Sequence, residues 1–248
     1  MILIVAAMDE ELRTALDCCR DVERVAELDL PAWRARTGSG IPFTFLRAGV
    51  GPKKSARRLA GMLDRIVPEL VLIAGYAGAL DPDLHVGDLV AVTRATPFRL
   101  SEEFNDWDHV EADTASDLTA VDSLTAAADN AGLSVTAGSI LSSKYILGNP
   151  KHKNLLFRRF QASVVDMETA FLAHVAALRG IPAGALRVVS DVAQDSFLAA
   201  FERDPDVKLT DRARKLFQVG SIQSVREWKN NAAAARDILQ RFWKNYLK

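Results

Sequence analysis

Residues 162–191 read ASVVDMETAFLAHVAALRGIPAGALRVVSD, and the order of elements in this stretch decides the fold. Val164 and Val165 close an apolar run. Asp166, Met167, Glu168 and Thr169 open a helix, and residues 183–189 form a buried strand that stops at Ser190 and Asp191. The helix follows from Met167, Phe171, Val175 and Leu178, which recur at three- and four-residue steps and predict one apolar stripe. Gly180 and Pro182 end it. Helix and buried strand in direct succession point to an α/β fold in which helices flank a covered sheet.

Two carboxyl groups in this stretch sit in different surroundings. Glu168, at a helix start, meets unpaired N–H groups and the positive end of the helix dipole, so it is expected to stay ionised and to accept from hydroxyl groups of a ligand. Asp191 follows an apolar strand, where desolvation favours the protonated form. Such a pair suits separate anion and acid roles. Each residue also has an ordinary use, Glu168 as a dipole partner and Asp191 as a turn or cap residue.

Further out, residues 2–7 are a continuous apolar run, as expected of a strand covered on both faces, and Met8, Asp9, Glu10 and Glu11 lie at its C-terminal end. In open α/β sheets that edge is where ligands bind. A helix is expected from there to about Cys19, whose dipole the three acids would also serve. Residues 42–46 read as another strand, turning through Gly49, Val50 and Gly51 into a helix near Lys53. Neither a phosphate-loop nor a dinucleotide fingerprint is present there. Lys53, Lys54, Arg57 and Arg58 read as a solvated helix face.

Residues 70–74 form a third buried strand. It leads into Gly75, Tyr76, Ala77 and Gly78, small residues but for the tyrosine, whose main chain is placed to line a pocket. Residues 86–92 and 135–141 read as strands, and 117–131 as a helix. Residues 97–111 carry Phe98, Phe104 and Trp107 with little periodicity, the pattern of an ordered cap or an interface. Residues 202–215 read as charged surface structure. Trp228, Ala232, Ala235, Leu239, Phe242 and Tyr246 predict a final amphipathic helix.

Composition agrees with one domain and no internal boundary. The chain has 248 residues, 49% of them hydrophobic, which is enough for a sizeable core. Lys and Arg number 31 against 32 Asp and Glu, so no broad basic footprint marks a nucleic-acid or anionic-membrane partner. Cys18 and Cys19 are adjacent on a helix and fit neither a bridge nor a metal pattern, which suits a reducing cytoplasm. The apolar start is too short to span a membrane.

The wording VDMETAFLAHV followed by VVSDVA resembles the nucleoside phosphorylase and nucleosidase superfamily, in particular its methylthioadenosine/S-adenosylhomocysteine nucleosidase branch. AAMDEEL, and AGVGPKKSA followed by LVLIAGYAGALDPDLHVGDLV, agree with it in order and spacing over most of the first 195 residues. The resemblance implies a three-layer α/β/α fold with a central mixed sheet and hydrolysis of a purine N-ribosidic bond, with neither metal nor organic cofactor. It assigns Asp191 as the acid towards N7 of the base, Glu11 as the base that activates water, and Met8 and Arg187 to the water site. Glu168 would hold the ribose hydroxyls, with Met167 on the sugar and Asp166 and Ser190 beside these groups. Tyr76, Ala77 and Gly78 would line the pocket, Tyr76 standing where relatives commonly carry Ser, and Tyr145 or Ile146 would contact the base. The resemblance also implies a homodimer in which residues 97–111 help to close the neighbour's pocket. A phosphorylase of the same superfamily, a hopanoid-associated adenosylhopane enzyme and a non-catalytic nucleoside-binding module are the alternatives.

Overall fold

The computed structural model describes residues 1–26, 29–101, 103, 107, 109–196 and 222–248, the last helix with its side chains from 229. Phe104, the charged stretch 202–215 and the side chain of Trp228 lie outside the described residues. Eleven strands and six helices are present among the described residues. In chain order these are β1 (Ile2–Ala6), α1 (Asp9–Leu16), β2 (Arg20–Arg24), β3 (Ala32–Arg36), β4 (Pro42–Arg47), α2 (Pro52–Leu63), β5 (Leu70–Ala79) and β6 (Leu89–Leu100). There follow β7 (Val110–Ala112), β8 (Ser116–Asp117), α3 (Val121–Asn130), β9 (Val135–Ser142), α4 (Pro150–Phe160), β10 (Val164–Asp166), α5 (Thr169–Ala177), β11 (Ala183–Asp191) and α6 (Ile222–Tyr246).

The sheet runs β10-β9-β6-β11-β5-β1-β4-β3-β2 and is mixed. β1 lies parallel to β4 and β5, and β11 parallel to β5 but antiparallel to β6. β10 pairs with β9 and, through Val164↔Ala79 and Val165↔Gly78, with the far end of β5, which closes β5, β11, β6, β9 and β10 into a ring. Closure removes two sheet edges that would otherwise expose unpaired N–H and C=O groups. One core layer packs β1, β5 and β11 through Leu3, Val71, Ile73 and Ala185 against α2 and α5. The other packs Ile4, Leu72, Leu186 and Val188 against α1, α3 and α6. No helix among the described residues is long and apolar enough to cross a membrane.

Several elements differ from the sequence expectation, each for a tertiary reason. β5 does not stop at Ala74 but continues through the small residues to Ala79. Glycine weakens an isolated strand, yet here β11 on one side and β10 on the other satisfy the backbone as far as Gly78 and Ala79. Helix α5 begins at Thr169, not Asp166, and its buried residues include Ala170, Leu172, Ala173 and Val175, whereas Leu178 is 71% exposed at the C-cap. A helix covered on most sides has no single stripe to read.

Both described ends of the 97–111 stretch belong to strands. Phe98, Arg99 and Leu100 pair with Ala112, Glu111 and Val110 as a hairpin of β6 and β7. Trp107, expected at a subunit contact, is buried within its own chain, with its ring stacked on His152 at a centroid distance of 4.4 Å and edge-on to Tyr145 at 6.1 Å. Helix α4, with Asn149 Oδ1 accepting from Lys151 N at 3.0 Å as its N-cap, has no counterpart in the sequence reading.

Candidate active site

The C-terminal ends of β1, β5, β10 and β11 bring four carboxyl groups, those of Glu11, Asp166, Glu168 and Asp191, together with one arginine and one lysine. Glu11 stands in the first turn of α1 and is 4% exposed. Its Oε2 accepts from Met8 N at 2.8 Å, the reciprocal half of a capping box, and its Oε1 accepts from Tyr76 N at 2.9 Å. The carboxyl group therefore reaches over the end of β1 to β5. Burial raises its pKa, with the Arg187 guanidinium as the main opposing influence. A raised carboxyl pKa brings a general base closer to working pH.

Gly75 makes this approach fit. A Cβ there would overlap both Glu11 Oε1 and Arg187 Nη1, so the two side chains close on the strand where only a hydrogen can stand. Tyr76 gives the site its N–H alone. Its ring packs with the layer of α1 and α6, and its hydroxyl is buried with no hydrogen-bond partner among the described residues. Tyr76 thus contributes main chain here, because alternate residues of a strand face opposite sides. Met8, at the N-cap of α1, is 37% exposed.

Arg187 is 1% exposed and is held by Asp166 and Thr169. Its Nη2 lies 2.8 Å from Asp166 Oδ2, and its Nε and Nη2 donate to Thr169 Oγ1 at 3.0 and 2.5 Å. Asp166 also accepts from Thr169 N, Thr169 Oγ1 and Ser142 Oγ, while Ser142 Oγ accepts from Ala170 N at 3.0 Å. The Asp166 carboxylate is thus taken up in fixing the start of α5 and the arginine, and its contribution to a ligand runs through them. Met167 is half-buried between Asp166 and Glu168.

Glu168 is 6% exposed at the N-cap of α5, and its Oε1 accepts from Gly51 N at 2.6 Å, tying the glycine turn before α2 to the start of α5. The expectation that it stays ionised is corrected. Burial, reinforced by the negative charges of Asp166 and Glu11, pushes its pKa up to about 8 against the opposition of Gly51 N and Arg187. The helix dipole, worth about 0.3–1 kcal/mol at an exposed terminus, does not outweigh desolvation beside two other acids. The folded chain therefore takes up a proton that the unfolded chain, at the ordinary value of 4.5, has released. Stability falls as pH rises from there through the folded value. Glu168→Gln keeps an acceptor for Gly51 N and removes the titration. Between about pH 5 and 9 the native melting temperature should fall several degrees further than that of the variant, as thermal unfolding would show. Parallel curves would mean that Glu168 does not titrate in this window.

Asp191 ends β11 beyond a register shift between Val189 and Asp191, the kind of bulge that re-aims a side chain. It is 6% exposed and faces Gly78, where a Cβ would lie 2.8 Å from its Oδ2. Ser190 Oγ donates to Oδ1 at 3.0 Å and to Ala77 O at 3.3 Å. The surroundings of Asp191 are not only the apolar strand that the sequence suggested, because Lys153 Nζ lies 2.5 Å from Oδ2. Gly75 beside Glu11 and Gly78 beside Asp191 are three residues apart on β5, roughly 10 Å at the usual strand rise. Among the described residues no group of three or more His, Cys, Asp or Glu side chains is gathered to hold a metal ion.

The model of the phosphorylase superfamily matches residues 1–219. The chain belongs to the phosphorylase superfamily. Among its relatives, the 5′-methylthioadenosine/S-adenosylhomocysteine nucleosidase of Geobacillus thermodenitrificans is 28% identical over 211 residues, 81% of this chain and 87% of that one. The enzyme of the same name from Halalkalibacterium halodurans is 29% identical over 77% of this chain and 84% of its own. In structure, this superfamily member is similar to the nucleosidase of that name from Campylobacter jejuni, with a TM-score of 0.71 at 19% identity and 98% coverage of both chains. A futalosine hydrolase mutant of Helicobacter pylori gives 0.70 at 21% identity, covering 97% of both chains. These likenesses establish the nucleoside phosphorylase-like three-layer fold with its mixed central sheet.

Tyr145 and Ile146 follow β9. The Tyr145 ring meets Trp107 edge-on, with Lys144 Nζ 5.1 Å from its centroid, and Ile146 is half-buried. Lys153 is the residue of this site that the sequence reading missed. Its signal is position: Lys153, Leu156, Phe157 and Phe160 share one face of α4, so a lysine occupies the apolar stripe of KHKNLLFRRF.

Proposed function

We propose that this superfamily member hydrolyses the N-ribosidic bond of a 5′-substituted adenosine to free adenine and the ribose product. The observation that carries the reading is the placement of Glu11, held by two backbone N–H groups beside Arg187 at one point of β5, with Asp191 at another. Glycoside hydrolysis with water as the attacking group needs a base and an acid on opposite sides of the sugar, with room for the water between. Glu11 takes the proton of the water as it attacks the anomeric carbon, Arg187 orients Glu11, and Asp191 protonates the base as the C–N bond breaks. Glu168 receives the ribose hydroxyls, and Met167 packs on the sugar. Relatives that carry the name 5′-methylthioadenosine/S-adenosylhomocysteine nucleosidase support the substrate class. A homodimer belongs to the same reading, with a contact surface other than the buried Trp107.

The second reading is phosphorolysis, and one observation favours it: Lys54 and Arg58 close over Gly49 at the glycine turn, near the Gly51 that holds Glu168. The two readings separate in one assay. Methylthioadenosine, adenosylhomocysteine, deoxyadenosine and a futalosine-like nucleoside are offered with and without phosphate, and free base, free ribose product and ribose 1-phosphate are measured. Hydrolysis predicts free ribose product at a rate independent of phosphate, and loss of most of that rate in Glu11→Gln with base binding retained. Saturation of the rate by phosphate, with ribose 1-phosphate accumulating, would replace it with phosphorolysis. Tight binding without base release would leave a binding module.

A further inference from the structure

Lys153 is fully buried in the first turn of α4, where the helix dipole disfavours a cation. Its Nζ donates to Asp191 Oδ2 at 2.5 Å and to Val192 O at 2.8 Å. A lysine without solvent is retained only with compensating partners, and here the compensating charge is the candidate acid. Ser190 Oγ donates to the other carboxyl oxygen. In the charged form of the pair Asp191 is thus an acceptor on both oxygens and has no proton for a leaving base, while the proton the reaction needs stands on Lys153.

We propose that Lys153 is a positioning residue that supplies the leaving-group proton through Asp191. The inference rests on the reading of Asp191 as the acid of an N-ribosidic hydrolysis. A proton passes from Nζ to Oδ2, giving a neutral amine and a carboxylic acid, and Asp191 hands its proton to the ring nitrogen of the base. The electrons of the breaking C–N bond remain with the base, so the base leaves neutral. The pair is left as amine and carboxylate, and Lys153 regains its proton from solvent after the base departs. The water that attacks the sugar gives its proton to Glu11, which releases it to solvent, so the cycle closes with one water consumed.

The acid function on this route depends on the Lys153–Asp191 contact, through which the proton is passed. Among the described residues the titratable groups on β5, β11 and α4 are few. On β5 it is Tyr76, whose ring packs in the other core layer, and on β11 Arg187, engaged with Asp166 and Thr169. On α4 they are His152, stacked on Trp107, the exposed Lys151, Arg158 and Arg159. Asp195 follows in the chain.

The test is the pH profile of adenine release from methylthioadenosine by the wild type and by Lys153→Met. Without the lysine, Asp191 has no neighbouring ammonium group to restore its proton once it ionises. The basic limb of kcat should therefore move to lower pH by about one unit or more, with kcat at about pH 8 down about tenfold or more and KM little changed. A limb that stays in place while kcat falls equally at every pH overturns the proposal and leaves Lys153 structural, as does wild-type activity. Should Lys153→Met fail to fold, the Nζ resonance of Lys153 in wild-type protein with 15N-labelled lysine replaces it. Titration together with the basic limb of kcat supports the proposal, and an Nζ that stays charged through that limb overturns it. Failure of the underlying reading looks different: the wild type releases no adenine, or Asp191→Asn releases it at the wild-type rate.

Discussion

Asp191→Asn is expected to lower adenine release by about 100-fold or more, the usual scale of acid–base assistance, with nucleoside binding largely kept. The amide oxygen of Asn still accepts from Lys153 Nζ or Ser190 Oγ, so the geometry of the bulge at the end of β11 is preserved. What disappears is a group that can protonate the base. The substitution also leaves a fully buried ammonium group without its counter-charge, a change that costs several kcal/mol when one partner of a buried pair is lost. Lower activity could thus reflect unfolded protein, and the double variant Asp191→Asn with Lys153→Met separates the causes. Removing both charges should restore most of the melting temperature and none of the turnover. Steady-state rates beside circular-dichroism melts of both variants are the measurement, and near-wild-type release from a folded Asn variant would end the assignment of Asp191.

Arg187→Met is expected to be the most destabilising single change in the site. Arg187 is a buried cation within contact distance of Asp166, and Gly75 would carry its Cβ into both Arg187 and Glu11. Truncating it leaves Asp166 buried without its cation and removes the main positive charge acting on Glu11. Breaking a buried ion pair from one side costs about 3–5 kcal/mol, which for a chain of this size is about 10 °C in melting temperature. The loss should be smaller at low pH. Burial already raises the pKa values of Glu11 and Glu168, and loss of the arginine that opposes this raises them further, so the variant gains stability as pH falls and they take up protons. Melts at about pH 5 and pH 8 test both statements. A variant within about 2 °C of the wild type at both would show that Ser142 and Thr169 suffice to hold Asp166.

The sequence by itself determined the α/β layering, because β1 and the first half of β5 are runs of apolar residues whose burial on two faces is a property of composition and length. It also placed Glu11, Glu168 and Asp191, since residues at strand ends and helix starts are located by the local pattern that creates those ends. Tertiary structure alone decided what those groups experience. Glu168 reads locally as a stabilised anion, yet carboxyl groups 2 and 157 residues away along the chain join burial in raising its pKa. The extension of β5 through Gly75 and Gly78 required pairing partners from β10 and β11, more than 80 residues later. Trp107 reads as an interface residue until His152 and Tyr145 arrive to cover it. The place of Lys153 on the apolar stripe of α4 marks it for burial but does not name its partner. Only the crossing of α4 over the end of β11 gives it a buried carboxylate as partner, and electrostatic environment is a function of distance in space, which local sequence pattern does not encode.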